Sequence, residues 1–508
     1  MASHRTCSAN TFSPSRTTSF WTHSMTRLTK TEAANGLTKL NWMAQLWPDE
    51  GRRKIFRRLD RNPSKTLPLI IDVALESGDP IGRIAAEWFA AHPDSALAHQ
   101  IEPSIPHQTV VLRELAAETA AILHADAAAI DDRSETVLSE RARTLNNLSN
   151  RLSDLGRREQ ALAAIEEAVA LRRTLAAARP DAFTPDLAQS LNNLSNRLSE
   201  LGRREEALAA IEEAVTLRRT LAAARPDAFT PDLASSLNNL SIRLSDLERR
   251  EEALAAIEEA MALYRTLAAA RPEAFTPDFA MVLNNLSNML SALGRREEAL
   301  AASEEAVALR RTLAAARPDA FTPDLASSLN NLSNGLSALG RREQALAAIE
   351  EAVALRRTLA AARPDAFTPD LAQSLNNLSN GLSALGRREE ALAASEEAVT
   401  LYRTLAAARP DAFTPDLARL LYVRGSILWA QGEHAEAAAS FAEGLRLLAP
   451  FVERLPQAHG DLAAGLLRDH RQSLRDAGQE PDAALLGPIR RILAEAGIIT
   501  AEEDEDAG

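Results

Sequence analysis

Leu187, Leu191, Leu194, Leu198 and Leu201 recur at spacings of 4, 3, 4 and 3. That rhythm puts one apolar stripe along a single α-helix. Gly202 follows, suited to the left-handed conformation that ends a helix. A second helix is predicted from about Arg204 to Ala224, with Ala207, Leu208, Ile211, Ala214, Val215, Leu217 and Leu221 on its buried side. Arg225-Pro226 stops it, because a residue before proline disfavours the α region. At the front of the first helix Thr184 is the expected cap, Pro185 fits the first turn and Asp186 complements the positive helix terminus. Phe229, in the loop that follows, is expected to tuck between units.

The pattern is copied every 46 residues, with LNNLSN starting at Leu145, Leu191, Leu237, Leu283, Leu329 and Leu375 and a worn LYVRGS at Leu421. The copies 145–190 and 191–236 differ only at Asp154/Glu200, Gln160/Glu206, Ala170/Thr216 and Gln189/Ser235. A fixed period of this size marks a solenoid, in which each unit buries its apolar face on its neighbours. One unit alone is expected to be unfolded.

Around the array the composition changes. Residues 1–33 read as a disordered leader, with Met25 as an alternative start. Residues 34–130 read as a helical cap or adaptor, with helical runs Leu67–Glu76, Pro80–Ala91 and Val110–His124, and with Trp42, Trp47 and Trp88. Residues 131–450 hold the six copies and a divergent seventh, Leu417–Leu447, with Gly432 at its turn and Pro450 closing it. Capping helices are expected over 451–500 and an acidic, frayed tail over 501–508.

The unit resembles the tetratricopeptide repeat family. SLNNLSNRLSELGRREEALAAIEEAVTL matches its helix–turn–helix, with Leu191, Leu194, Gly202, Ala207, Ile211 and Ala214 on the signature positions. The LNNL opening and long second helix look most like the kinesin-light-chain type. Ser195 stands where the family has its small residue, the closing proline comes late at Pro226, and the unit is longer than the norm. The resemblance implies an all-α fold, an α-solenoid of antiparallel helix pairs wound as a right-handed superhelix, with helical N- and C-terminal caps. Residues 34–130 also resemble the helical region preceding such repeats in bacterial signal-transduction ATPases.

Composition narrows the function. The formal net charge is −13, which argues against nucleic-acid or anionic-membrane binding. Basic charge is almost all Arg, with lysines only at Lys30, Lys39, Lys54 and Lys65, a bias expected of a GC-rich bacterial genome. Cys7 is the single cysteine, so no disulfide framework or thiolate metal site is expected. Without a run of about eighteen apolar residues no transmembrane helix is expected, and a cytoplasmic protein is the default. Residues 145–420 contain no His, Cys or Lys, and no glycine-rich loop followed by Lys exists, so neither an enzyme nor a P-loop ATPase is expected, and no cofactor. His92, His99 and His107 lack metal-ligand spacing. The adjacent glutamates Glu212-Glu213 and their copies read as a solvated helix surface.

In the family, the first helix lines a concave groove. The matching positions form one asparagine column, Asn146, Asn192, Asn238, Asn284, Asn330 and Asn376. A second column is Asn150, Asn196, Asn288, Asn334 and Asn380, interrupted by Ile242. Asn amides offer donors and an acceptor to an extended peptide backbone. The middle asparagine, Asn193 and its copies, is expected instead to bond neighbouring helices. Early copies add Arg151, Arg197 and Arg243 with Asp154, Glu200 and Asp246, whereas later ones carry Met289, Gly335 and Gly381 with Ala292, Ala338 and Ala384. The expected role is a scaffold that binds a protein or peptide partner. A sensor arm of a signal-transduction system lacking its nucleotide-binding domain, and a helical-repeat RNA binder, are the alternatives.

Overall fold

The structure is a computed structural model describing residues 30–106, 109–480 and 483–499. The expected leader up to residue 29, His107 and the acidic tail lie outside the described residues. Among the described residues there are 22 α-helices and no strands. The chain divides into two compact units, Met1–Asp227 and Ala228–Gly508.

The first unit opens with α1 (Lys30–Leu46), α2 (Pro48–Arg61), α3 (Pro63–Ser77), α4 (Ile81–Ala91), α5 (Ser95–Ile101) and α6 (Arg113–Ala129). They enclose a core that includes Leu37, Ile55, Leu59, Leu67, Ile70, Ile81, Phe89 and Leu115. Two pairs follow, α7 (Glu135–Asp154) with α8 (Arg158–Ala178) and α9 (Pro180–Glu200) with α10 (Arg204–Ala224). The second unit continues with α11 (Pro226–Asp246) and α12 (Arg250–Ala270), α13 (Pro272–Ala292) and α14 (Arg296–Ala316), and α15 (Pro318–Ala338) and α16 (Arg342–Ala362). Next come α17 (Pro364–Ala384) and α18 (Arg388–Ala408), α19 (Pro410–Gln431) and α20 (His434–Arg454), and α21 (Pro456–Asp476) and α22 (Ala483–Glu495).

Each turn within a pair closes as its sequence requires. Gly202 has φ 74°, its N–H bonds the Ser199 carbonyl at 2.9 Å, and the Arg203 N–H bonds the Leu198 carbonyl at 3.0 Å. This double bond satisfies carbonyls left over at the helix end. Glu248 takes the same turn with φ 60° and is the only described non-glycine residue with positive φ.

The joint between pairs is a single residue. Arg179, with φ −141° and ψ 80°, separates α8 from α9 and stands before Pro180, the first residue of the new helix. The pre-proline restriction therefore breaks the chain, and Pro180 starts the next helix without needing its absent N–H. The helix begins here rather than at Thr184, and Pro185 lies inside it. Of the two prolines near the start, Pro180 opens the helix and Pro185 lies in its second turn. Phe183 accordingly sits in the helix, with the Arg179 guanidinium 5.7 Å from its ring centre. Pro450 likewise lies inside α20, which ends at the Leu455-Pro456 joint.

The 46-residue phase outlasts the recognisable sequence. Helix α21 starts at Pro456 after extended Leu455 and ends before Gly478 with φ 64°, the punctuation of α9, α13, α15 and α17. Together α21 and α22 stand as an eighth pair, packed through Leu466, Leu467, Ile489 and Leu493.

Burial corrects the expected buried side of the second helix at Leu217 and Leu221. Arg218 is buried where Leu217 was expected, and Leu217 and Leu221 are only half-buried. The same site holds buried Arg172, Arg310 and Arg356, but Tyr264 and Tyr402 in two copies. Its identity goes with the residue eighteen places on. The arginines are followed by Ser190, Ser236, Ser328 and Ser374, and the tyrosines by Val282 and Leu420. Arg356 donates to Ser374 Oγ at 2.5 Å and to the Asp370 carbonyl at 2.7 Å, and Arg310 lies 3.3 Å from Asp324. Burial pulls the pKa of Arg172, Arg310 and Arg356 below the usual guanidinium value.

Candidate interaction surface

Successive pairs are held by two kinds of link. Between first helices the links are short: Asn193 Nδ2 donates to Asn146 Oδ1 at 3.0 Å, Asn285 to Asn238 at 2.8 Å, and Asn377 to Asn330 at 3.0 Å. The middle asparagine thus bonds its neighbour, as expected. Between second helices the links are long. Arg173 reaches Glu213 at 2.6 Å, and in the second unit Arg265 reaches Glu305, Arg311 reaches Glu351, Arg357 reaches Glu397 and Arg403 reaches Glu443. Asn side chains are short and Arg–Glu pairs span several more bonds. First helices are therefore the closely spaced side of each unit's stack, and α7–α9, α13–α15, α15–α17 and α17–α19 lean directly on one another. Glu213, Glu305, Glu351 and Glu397, each the second glutamate of its adjacent pair, are thus partly exposed ion-pair partners, a role the sequence reading missed. Its signal was present, an Arg and a Glu kept 40 residues apart in copy after copy.

The candidate residues fall into two sets. Asn192, Asn238, Asn284 and Asn330 are buried, while Asn146 and Asn376 are half-buried. Besides the pairs above, Asn284 Nδ2 donates to Ser328 Oγ at 2.7 Å, and Asn330 Oδ1 accepts from Ser374 at 3.4 Å. This column is occupied with its neighbours. The second column is open: Asn150 and Asn196 are half-buried, and Asn288, Asn334 and Asn380 are exposed.

Beside the second column the first unit is charged. The Arg197 side chain is 12% exposed and lies 3.2 Å from Glu200, whose other oxygen accepts from Ser153 of the preceding first helix at 2.9 Å. Arg151 contacts the Pro106 carbonyl at 3.2 Å and lies 4.0 Å from Asp154. Burial lowers the Arg151 and Arg197 pKa values and, against the pull of both guanidinia, raises that of Asp154.

In the second unit the character changes along the stack. Arg243, 13% exposed, pairs with Asp246 at 3.0 Å. Met289 then fills the position as a buried apolar side chain. Gly335 and Gly381 leave it empty, since a Cβ added at either would meet nothing within 4 Å. Among the described residues no helix is long and apolar enough to cross a membrane.

Stacked helix pairs of fixed period, bonded only to their neighbours, define an α-solenoid repeat protein. A tetratricopeptide repeat model matches residues 141–178, 187–224, 233–269, 279–316, 325–362 and 371–407, and a second such model matches 418–443. The chain belongs to the tetratricopeptide repeat family. No curated protein matches it in sequence. Among solved structures, BtubC (BKLC) from P. vanneervenii is 20% identical with a TM-score of 0.41, covering 50% of this chain and 93% of that one. A putative kinesin light chain from Podosopora anserina, with nearly identical TPR-like repeats, is 21% identical with a TM-score of 0.36, over 44% of this chain and 97% of that one. The signal transduction ATPase with a tetratricopeptide repeat sensor from Pyrococcus horikoshii is 13% identical with a TM-score of 0.47. It covers 78% of this chain, which spans 55% of that protein.

Proposed function

We propose that the chain is a non-catalytic scaffold whose first-helix face holds an extended segment of a protein partner. One observation carries the reading. Beside the more open asparagine column the positions of Arg197 and Glu200 change type along the array, from charged pairs to Met289, Gly335 and Gly381 with Ala292, Ala338 and Ala384. A face built only for stacking has no need of that variation, whereas a face meeting a non-repeating partner does. Exposed Asn288, Asn334 and Asn380 supply a donor and an acceptor to a peptide backbone at each pair. The open space at Gly335 and Gly381 leaves room for the partner's larger side chains. No catalytic role is assigned, in keeping with residues 145–420, which are free of His, Cys and Lys.

The test is selection of random twelve-residue peptides on the full chain, followed by binding to a variant with Asn288, Asn334 and Asn380 all changed to Ala. Affinity should fall at least tenfold, about 1.4 kcal/mol. Selected peptides that bind the variant equally well overturn the reading. The buried Asn192 column is unsuited to this test, because its loss would disturb packing.

A further inference from the structure

We propose that the outer face of the α1–α2 hairpin is a second docking surface, which takes an acidic protein segment carrying bulky apolar side chains. Trp42, Leu46 and Trp47 are 64%, 66% and 56% exposed, three large apolar residues within six positions. Single exposed apolar residues are ordinary on a protein surface, but a contiguous group at the tip of one hairpin is not. Trp and Arg are also the side chains that most often anchor protein interfaces.

The patch is held rigidly from beneath. Asn41, fully buried, donates to the Gly78 carbonyl and accepts from the Ile81 N–H, both at 3.0 Å. Gly51 lies against α1 so closely that a Cβ there would stand 2.4 Å from Ala44 Cα. Trp47 precedes Pro48 and is fixed at φ −136°, ψ 79°. The two tryptophans are therefore presented on fixed backbone, which spares a partner the cost of ordering them.

The rim is basic. On α1, Glu32, Asn35, Lys39, Trp42 and Leu46 form one exposed stripe at helical spacing. Met43 faces α2, with Lys54 Nζ 3.4 Å from its sulfur. On α2, Lys54 and Arg58 face α1, which turns the exposed Arg53 and Arg57 to the same outer side as Trp42 and Leu46. Three nearby acids are engaged, Glu50 with Lys54 at 2.8 Å, Glu87 with Arg52 at 2.6 Å, and Asp60 with the Trp88 indole at 2.8 Å, and exposed Asp49, two residues past Trp47, is outweighed by Lys39, Arg53 and Arg57. The hairpin is thus a basic, aromatic spot on a chain of net charge −13. Charge screening over about 8 Å lets a short acidic segment respond to that spot alone. An extended anionic membrane would also meet the rest of an acidic molecule, so a protein segment is the better occupant.

The experiment selects random twelve-residue peptides on the full chain. It compares their binding to Arg53→Glu/Arg57→Glu, to Trp42→Ala/Leu46→Ser, and to the Asn288/Asn334/Asn380 alanine variant. All four hairpin residues are exposed, so both hairpin variants should melt as the parent does. A class of peptides rich in Asp or Glu with Leu, Phe or Trp is expected. That class should lose at least tenfold affinity on both hairpin variants, keep it on the asparagine variant, weaken with salt, and shift the tryptophan emission to the blue. Recovery of no such class overturns the proposal. So does binding to phosphatidylglycerol vesicles that is abolished by the same hairpin changes, since the occupant would then be a lipid surface.

Discussion

Glu248 keeps a positive φ in a turn whose sister copies use Gly156, Gly202, Gly294, Gly340 and Gly386. A Cβ in this region crowds its own backbone, so Glu248→Gly should raise stability by about 1 kcal/mol, read from urea unfolding. Ser303 is a second departure, fully buried where sister copies carry Ile165, Ile211 and Ile349. Its hydroxyl is satisfied, 2.6 Å from Ser287 Oγ, which also donates to the Ala299 carbonyl at 2.8 Å. Ser303→Ile therefore leaves Ser287 bonded while restoring apolar contact, and should raise stability by about 1–2 kcal/mol. A melting temperature that does not rise would count against this account. Burial moves Tyr402 from 10.0 up to about 12. Its folded value lies above its unfolded one, so the stability it contributes is complete below pH 10 and lost as pH rises toward 12. Tyr402→Phe should flatten that part of the alkaline unfolding curve. Both departures were visible in the sequence, because an internal repeat exposes its own exceptions. The partner of Ser303 was not, since it depends on two helices meeting across a turn.

In the six copies each second helix carries a matched mark, Arg with a following Ser or Tyr with a following Val or Leu. Tyr264, Phe279 and Val282 are all buried, so this copy replaces a polar contact with an apolar one as a group. Tyr264→Arg alone would bury a guanidinium against Val282 and should cost about 2–4 kcal/mol. Adding Val282→Ser should recover at least about 1 kcal/mol, a coupling measurable in a double-mutant cycle. The second helix was legible to the residue, Arg204 to Ala224, because glycine fixes one end and a pre-proline residue the other. Its buried Arg218 was not, because apolar periodicity cannot see a cation that buries its stem. The candidate columns were half legible for a similar reason. Spacing put both asparagines of a copy on the first helix, but only packing separates the bonded Asn192 from the more open Asn196.

Within each unit the helices touch little beyond the next pair, so damage should stay local. Ile349→Asp would put a charge into the fully buried face of α16. Hydrogen exchange should then lose protection over α15–α18 while α20 and α21 keep theirs; uniform loss along the second unit would contradict neighbour-limited stability. The eighth pair shows how far an architecture can outlive its sequence. What persists in α21 is phase, a proline after an extended residue and a glycine at the turn, and these are too few to read without the copies before them. The one-residue joint at Arg179 has its own consequence. A protease must draw several consecutive residues into an extended form before it can cut, and the joints offer no slack for this. Proteinase K, which cuts after apolar and aromatic residues, should therefore spare the stretches Leu175–Phe183, Leu313–Phe321 and Leu359–Phe367 under native conditions. Nicking should begin outside the joints, in the irregular residues 109–112 and 130–134 that flank α6 and 477–480 that follow α21.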